Sequence, residues 1–456
     1  MIKKKIVLFF LIIACIRLFA QSKESLLEKL REENHFEYNI IGFAPEESEL
    51  YKSAQELVNL CDDNELIDLL SDKSPVVKCY VAYFIADKDI KTNWYEILLN
   101  EINDYEKLWL MSYDIGSITY AGDFIFETLF SKKLSQAEQK KIKLEMIKKQ
   151  SNLYFVESIL QSDEKSDELY EAARTWAVKG NATAIFSLAK YGKKEDIPLI
   201  ETLKDKDKAL YFQACEYSID DSYKPFLREY MISILPKDHY SNEWSYFYKL
   251  VADYHDDFSK EIFDMAFSDK VNKNIQEYHL EFIFDAIKDS SDGYYDEYLR
   301  ILWQQYNLID KNVIDHFIKA DKDLALENIK KALDNSNEYF MNTDSLDYMI
   351  KTLYENNVEL TDSFIRGIKK DSVTTFEIYM NNIGCIQRDD KRIIDAMKTR
   401  LETETNPYVT LPLYDYLVSL NDKEINDYLI KLYKKKKRSY TKWSLPQHEE
   451  ILKTIR

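Results

Sequence analysis

Glycine and proline are scarce, with 8 of each in 456 residues. All-β folds and nucleotide-binding α/β folds need more turn punctuation than that, so the scarcity argues for helices. Between Pro236 and Pro407 proline is missing altogether. That suits helical stretches, because a proline inside a helix removes a hydrogen bond and clashes with the preceding turn. Signatures of chemistry are lacking as well. The chain has no GxSxG elbow and no phosphate-cradling glycine loop. Its six histidines, His35, His239, His255, His279, His316 and His448, include no HExxH pair and no other spacing that sets two imidazoles on one helical face. Beyond the first 20 residues no apolar run approaches the ~20 residues that a membrane helix needs. The expectation is a chain with no cofactor, no metal, no catalytic residues and no transmembrane segment.

A chain of 456 residues exceeds the size at which one compact core keeps growing, so it must form several domains or one elongated array. Its 45% hydrophobic and 31% charged residues belong to an ordered protein. Asp and Glu outnumber Lys and Arg by 80 to 62, a net charge of −18. That field repels nucleic acid and anionic lipid, which excludes both as expected partners. The 34 tyrosines accompany abundant Lys, Asn, Ile and Phe, the output of AT-rich codons, and do not by themselves point to a ligand.

Met1 to Ala20 reads as a signal peptide: Lys3, Lys4 and Lys5 form a charged start, and Ile6 to Ala14 form an apolar run too short to span a membrane. Cleavage after Leu18-Phe19-Ala20 would leave 58 basic against 80 acidic residues. A rival reading takes Ile12-Ile13-Ala14-Cys15 as a lipobox with a lipid anchor on Cys15, although the Ile-Arg-Leu-Phe that follows is not the small polar stretch usual after such a cysteine. Either way the expected location is the periplasm or cell envelope. Cys61, Cys79, Cys215 and Cys385 each sit in an apolar helical context as buried thiols, with a Cys61–Cys79 disulfide as the alternative that an oxidising compartment would permit.

After the leader, helix follows helix, each of about 8 to 18 residues by periodicity, with short polar joints and no sustained period-2 alternation. Ser74-Pro75 and Asp196-Ile197-Pro198 each put a capping residue ahead of a first-turn proline. Gly180 and Gly192 bracket a short helix as carboxyl-terminal stops, and Gly116 and Gly122, flanking the small-residue patch around Ser117-Ile118-Thr119-Tyr120, read the same way. Glu65 to Asp87 and Ala182 to Asp205 are two helix pairs with an Asp/Lys/Gly/Pro joint between them. Both resemble HEAT repeats. The resemblance implies an all-α fold, an α-solenoid or right-handed superhelix in which each pair buries its apolar stripe only by stacking on its neighbours. It implies HEAT-like repeats over 21–235, and degenerate repeats or a second all-α domain over 236–456. His316 to Leu333 is expected to be helical in that second half.

For function, the expectation is a non-enzymatic scaffold that binds a protein or peptide partner. Trp244, Tyr246, Phe247 and Tyr248 carry more aromatic surface than one helix face can bury, which makes Trp244, Tyr246 and Tyr248 candidate binding residues. Lys434, Lys435 and Lys436 open the one basic island, running to Arg438, and are a second candidate surface for an acidic partner, against the simpler reading of a solvated helix end. The alternative function is a metal-dependent phosphohydrolase using His255 and Asp256, with Asp238-His239 and Asp315-His316 as further His–Asp doublets. Asp256 and Asp257 are equally the start of a helix, where carboxylates favour the positive end of the dipole.

Overall fold

The computed structural model describes residues 23–42, 45–335, 343–370 and 372–455. The leader, its cleavage site and Cys15 lie outside the described residues. The chain is mostly helical and divides into two compact units, one ending at Tyr223 and one beginning at Lys224. The division falls ahead of the Lys224–Ile234 helix, whereas Pro236 occupies a joint behind that helix.

In the first unit the local signals work as the sequence announces. Ser74 accepts a hydrogen bond from the Val77 amide at 3.4 Å with Pro75 in the first turn of Pro75–Ile85. Asp62 and Glu65 close a reciprocal capping box on Asp63–Leu69, and Ser135 and Glu138 do the same for Gln136–Lys148. Gly180 (φ +90°) and Gly192 (φ +63°) flank the helix Ala182–Ala189 in left-handed conformations. Its expected partner is less regular: Ile197–Ile200 is a single turn that continues as a 3-10 segment, Glu201–Asp205. Asp196 does not cap it through its side chain. The carboxylate is fully buried and accepts instead from Tyr170 Oη at 2.9 Å.

The unit also contains an element not expected from the sequence, a four-stranded sheet. Its strands are β1 (His35–Ile41), β2 (Glu46–Glu47), β3 (Lys107–Tyr113) and β4 (Ile115–Tyr120), in the order β2-β1-β3-β4. β1 and β3 run parallel, joined by a crossover of four helices between Glu49 and Glu101. β3 and β4 form a hairpin whose two-residue loop puts Tyr113 at φ 53°. Ser117 to Tyr120 is therefore strand, and Gly116 is a strand residue rather than a helix stop. The missed signal was legible in β1, where His35-Phe36-Glu37-Tyr38-Asn39-Ile40 alternates polar and apolar. One face of the sheet packs on helices: Phe36 and Leu108 are fully buried. Phe36 stacks on Tyr80 at 4.3 Å and meets Phe124 at 4.8 Å. The Tyr80 hydroxyl accepts from the Glu37 amide and donates to the Glu37 carbonyl, both at 2.9 Å, tying Pro75–Ile85 to β1.

The second unit consists of helices in the same short-jointed style. His316 to Leu333 is helical but broken. Lys311–Ala320 ends where Asp321 turns out of helical conformation and caps Lys322–Asn335 through the Leu324 amide at 3.2 Å. In both units helices pack mainly on the next and next-but-one helix along the chain. Pro75–Ile85 lies against Glu49–Leu60 and Ala121–Lys133, and Glu243–Tyr254 lies against Asp257–Phe267 and Gln276–Ile287. No helix among the described residues is long and apolar enough to cross a membrane.

Candidate docking surface

The aromatic cluster expected as a binding surface is core. Trp244, Phe247 and Tyr248 are all fully buried in the Glu243–Tyr254 helix. Trp244 stacks on the His279 ring at 4.2 Å and 15°, and Tyr248 Oη lies 2.7 Å from His279 Nδ1. Burial pushes the His279 imidazole down to about 4. Of the three candidates only Tyr246 reaches solvent, at 37% exposure. A long helix face can bury three adjacent aromatics when a second helix supplies rings to meet them, and Gln276–Ile287 does so here.

The basic island is divided in the same way. Lys434 and Lys435 are exposed, but Lys436 is buried, and its ammonium donates to the carbonyls of Leu401 at 2.7 Å and Glu404 at 2.5 Å. These close the carboxyl end of the Lys391–Thr403 helix. Burial lowers the Lys436 pKa from the usual lysine range. Lys437 pairs with Glu449 at 2.7 Å, so two of the basic side chains serve the fold.

The residues proposed for metal chemistry also have other roles. Asp256 caps Asp257–Phe267, accepting from the Phe258 amide at 3.0 Å, and receives Lys224 at 2.7 Å. Burial opposes its charge, but Lys224 and the capping amides hold its carboxyl below the usual range. His255 terminates the preceding helix in left-handed conformation, φ 51°. It turns Nε2 to Asp292 at 2.8 Å, while His316 takes Asp296, the first residue of the Asp296–Tyr306 helix, at 2.7 Å. His239 bonds to its neighbour Asp238 at 2.8 Å. Among the described residues no three His, Cys, Asp or Glu side chains converge as a metal-holding group. Cys61, Cys79, Cys215 and Cys385 are all free thiols, Cys61 and Cys385 only partly buried. Cys79 is enclosed with its Sγ 4.0 Å from the Ala121 carbonyl, so the Cys61–Cys79 bridge is not formed.

Exposed apolar surface instead gathers on the β3–β4 hairpin. The β3–β4 register sets Trp109 opposite Ile118, Met111 opposite Gly116 and Lys107 opposite Tyr120, all on the face away from the helices. Trp109 is 49% exposed and Ile118 51%. Gly116 leaves room for the Trp109 ring, whose nearest atom would lie 3.8 Å from a β-carbon there. Tyr120 stacks on Tyr154, itself 56% exposed, at 5.4 Å and 21°, and meets Tyr105 edge-on at 5.9 Å. Ile115, at the start of β4, is 70% exposed but lies opposite Ser112 on the other face of the hairpin. Trp109, Ile118, Tyr120, Tyr154 and Tyr105 thus make an apolar strip on the open face. Single exposed hydrophobics are ordinary, whereas a contiguous group on one face marks an interaction surface.

The strip is held in place from below. Gly122 begins the Ala121–Lys133 helix so close to the preceding loop that a β-carbon would stand 2.8 Å from the Glu101 and Asp104 carbonyl oxygens. The buried Asp123 side chain accepts from the amides of Tyr154 at 3.1 Å and Phe155 at 2.7 Å. It thereby caps the Tyr154–Gln161 helix and fixes Tyr154 beside Tyr120. Burial raises the Asp123 pKa despite those two amides. Beneath the entry to β3, Lys78 Nζ bonds Glu101 Oε2 at 3.1 Å and also Asp104. Burial opposes its charge, yet Asp104 and Glu101 outweigh that and hold the Lys78 pKa above the ordinary lysine value.

The edges of this sheet differ. β2 is two residues long and both are glutamates, a blunted edge of the kind that discourages further pairing. β4 runs for six residues, Ile-Gly-Ser-Ile-Thr-Tyr, without a charge or a proline.

No protein-family model matches the chain, and no curated protein matches it. Among solved structures, an engineered protein from the Northeast Structural Genomics Consortium is 14% identical over 87% of this chain and 100% of that one. The TM-score is 0.22, so the likeness bears on neither fold nor function.

Proposed function

We propose that this chain is an exported scaffold of the cell envelope that binds a protein partner, and that it docks that partner on the β3–β4 hairpin of its first unit. The exposed strip of Trp109, Ile118, Tyr120 and Tyr154 on the open face of the sheet carries this reading. The charged start and short apolar run of Met1 to Ala20 support export. Helices that pack mainly on the next or next-but-one along the chain support the reading of stacked HEAT-like pairs, the arrangement from which a right-handed superhelix would follow. A scaffold also suits the His and Asp side chains, which act as caps and ion pairs. The partner is bound through apolar contact and main-chain pairing rather than through the basic island, where Lys436 and Lys437 are already engaged.

The test uses the purified chain as bait in envelope extract, beside the variant Ile118→Lys. A protein held by the wild type and lost from the variant, with both equally folded by circular dichroism, is the expected result. Equal capture by the two, or no capture by a wild type that is also monomeric, overturns the reading.

A further inference from the structure

Resting on the scaffold reading, we propose that the partner at β4 is a second copy of this chain: β4 pairs antiparallel with its own counterpart about a two-fold axis at Ile118, joining the two sheets into one.

The uncharged β4 permits this occupant. A chain of net charge −18 repels its own copy, so self-association needs a contact without charged side chains. β4 has none. A basic foreign strand would find no carboxylate on β4 to attract it, and an acidic one would be repelled as a second copy is while lacking a matched sequence.

Side-chain size and chemistry then pick the register. In an antiparallel pair, directly opposite residues lie on the same face. With Ile118 opposite Ile118 of the second copy, Gly116 falls opposite Tyr120, Ser117 opposite Thr119, and each pair occurs twice by symmetry. The largest side chain of the strand is set opposite the residue that has none, so no two bulky groups meet directly there. Hydroxyl meets hydroxyl, and isoleucine meets isoleucine. Because Trp109 is already opposite Ile118 within each hairpin, the join makes an unbroken apolar row: Trp109, Ile118, then Ile118 and Trp109 of the second copy. Shifting the register by one residue would put Ile118 opposite Ser117 and send matching faces to opposite sides of the sheet.

The experiment is carried out on the full chain. Ile118→Cys is treated with a short bis-maleimide, beside the wild type, which controls for Cys61 and Cys385, and beside Tyr408→Cys, an exposed position outside the hairpin (67%). Light scattering gives the mass of the wild type and of Ile118→Lys at equal concentration. The expected results are a particle of two 54.2 kDa chains for the wild type, a covalent dimer from Ile118→Cys alone, and a monomer from Ile118→Lys, which brings two ammonium groups together on the axis. A monomeric wild type without cross-linking, or a dimer that survives Ile118→Lys, overturns the proposal. If a monomeric wild type still captures a different protein in an Ile118-dependent way, the scaffold reading stands and the second copy is excluded. If capture also ignores Ile118→Lys, both fall.

Discussion

Two concentrations of aromatic residues, one in each unit, have opposite fates. In the second unit Trp244, Phe247 and Tyr248 lie within five residues of one helix and disappear into its core, because Gln276–Ile287 brings His279 against them. In the first unit Trp109, Ile118, Tyr120 and Tyr154 are spread over two strands and a helix and remain at the surface. Density along the sequence is thus a poor guide to exposure. A helix turns successive residues around its axis, so a dense aromatic run is absorbed when neighbours pack on several sides. A sheet has two faces, and the one that no helix covers keeps whatever side chains it carries.

Substitutions at the two clusters should separate them. Trp244→Ala removes a fully buried indole and should destabilise the second unit by about 3–5 kcal/mol, read from urea unfolding. A smaller effect comes from pH. The His279 imidazole stays neutral in the folded chain down to about 4, whereas an unfolded histidine protonates near 6.5, so the unfolded state binds the proton first. Stability contributed here is complete above about pH 6.5 and falls as pH drops towards 4, by about 3 kcal/mol at most. His448, also held down by burial, acts in the same direction. Unfolding followed between pH 7.5 and 4.5 should show a shallower decline in His279→Leu than in the wild type, and equal slopes would remove His279 as the source.

In the first unit, Gly122→Ala drives a methyl group against two backbone carbonyls and should cost about 1–3 kcal/mol, with a lowered thermal midpoint. Trp109→Ala should change stability by no more than about 0.5 kcal/mol, as expected for a surface position, while weakening association at the hairpin. A loss as large as that of Trp244→Ala would mean that Trp109 supports the fold and would erase the distinction between the two clusters.

Much of the helical framework was legible in the residues. Ser74, Asp62, Ser135 and Asp256 cap the helices they precede, and Gly180 and Gly192 stop a helix as their freedom at positive φ allows. The hairpin was not legible, for a reason tied to its proposed role. In Lys107–Tyr113 the covered face presents Leu108 and Leu110 while the open face presents Trp109 and Met111. A strand with an apolar solvent face loses the polar–apolar alternation by which strands are recognised. The burial of Trp244 and Tyr248 was not legible for a related reason: composition counts aromatic residues without knowing which elements will cover them.

The sequence alone determined the helical class and many of the joints and caps, because those depend on residues within one or two turns of each other. Tertiary structure decided which side chains meet solvent. Whether Trp244 is buried depends on His279, 35 positions away, and whether Tyr120 is backed by a ring depends on Asp123 holding Tyr154 beside it. Burial is a property of packed surfaces, and the surfaces that meet here come from separate elements brought together only by the fold.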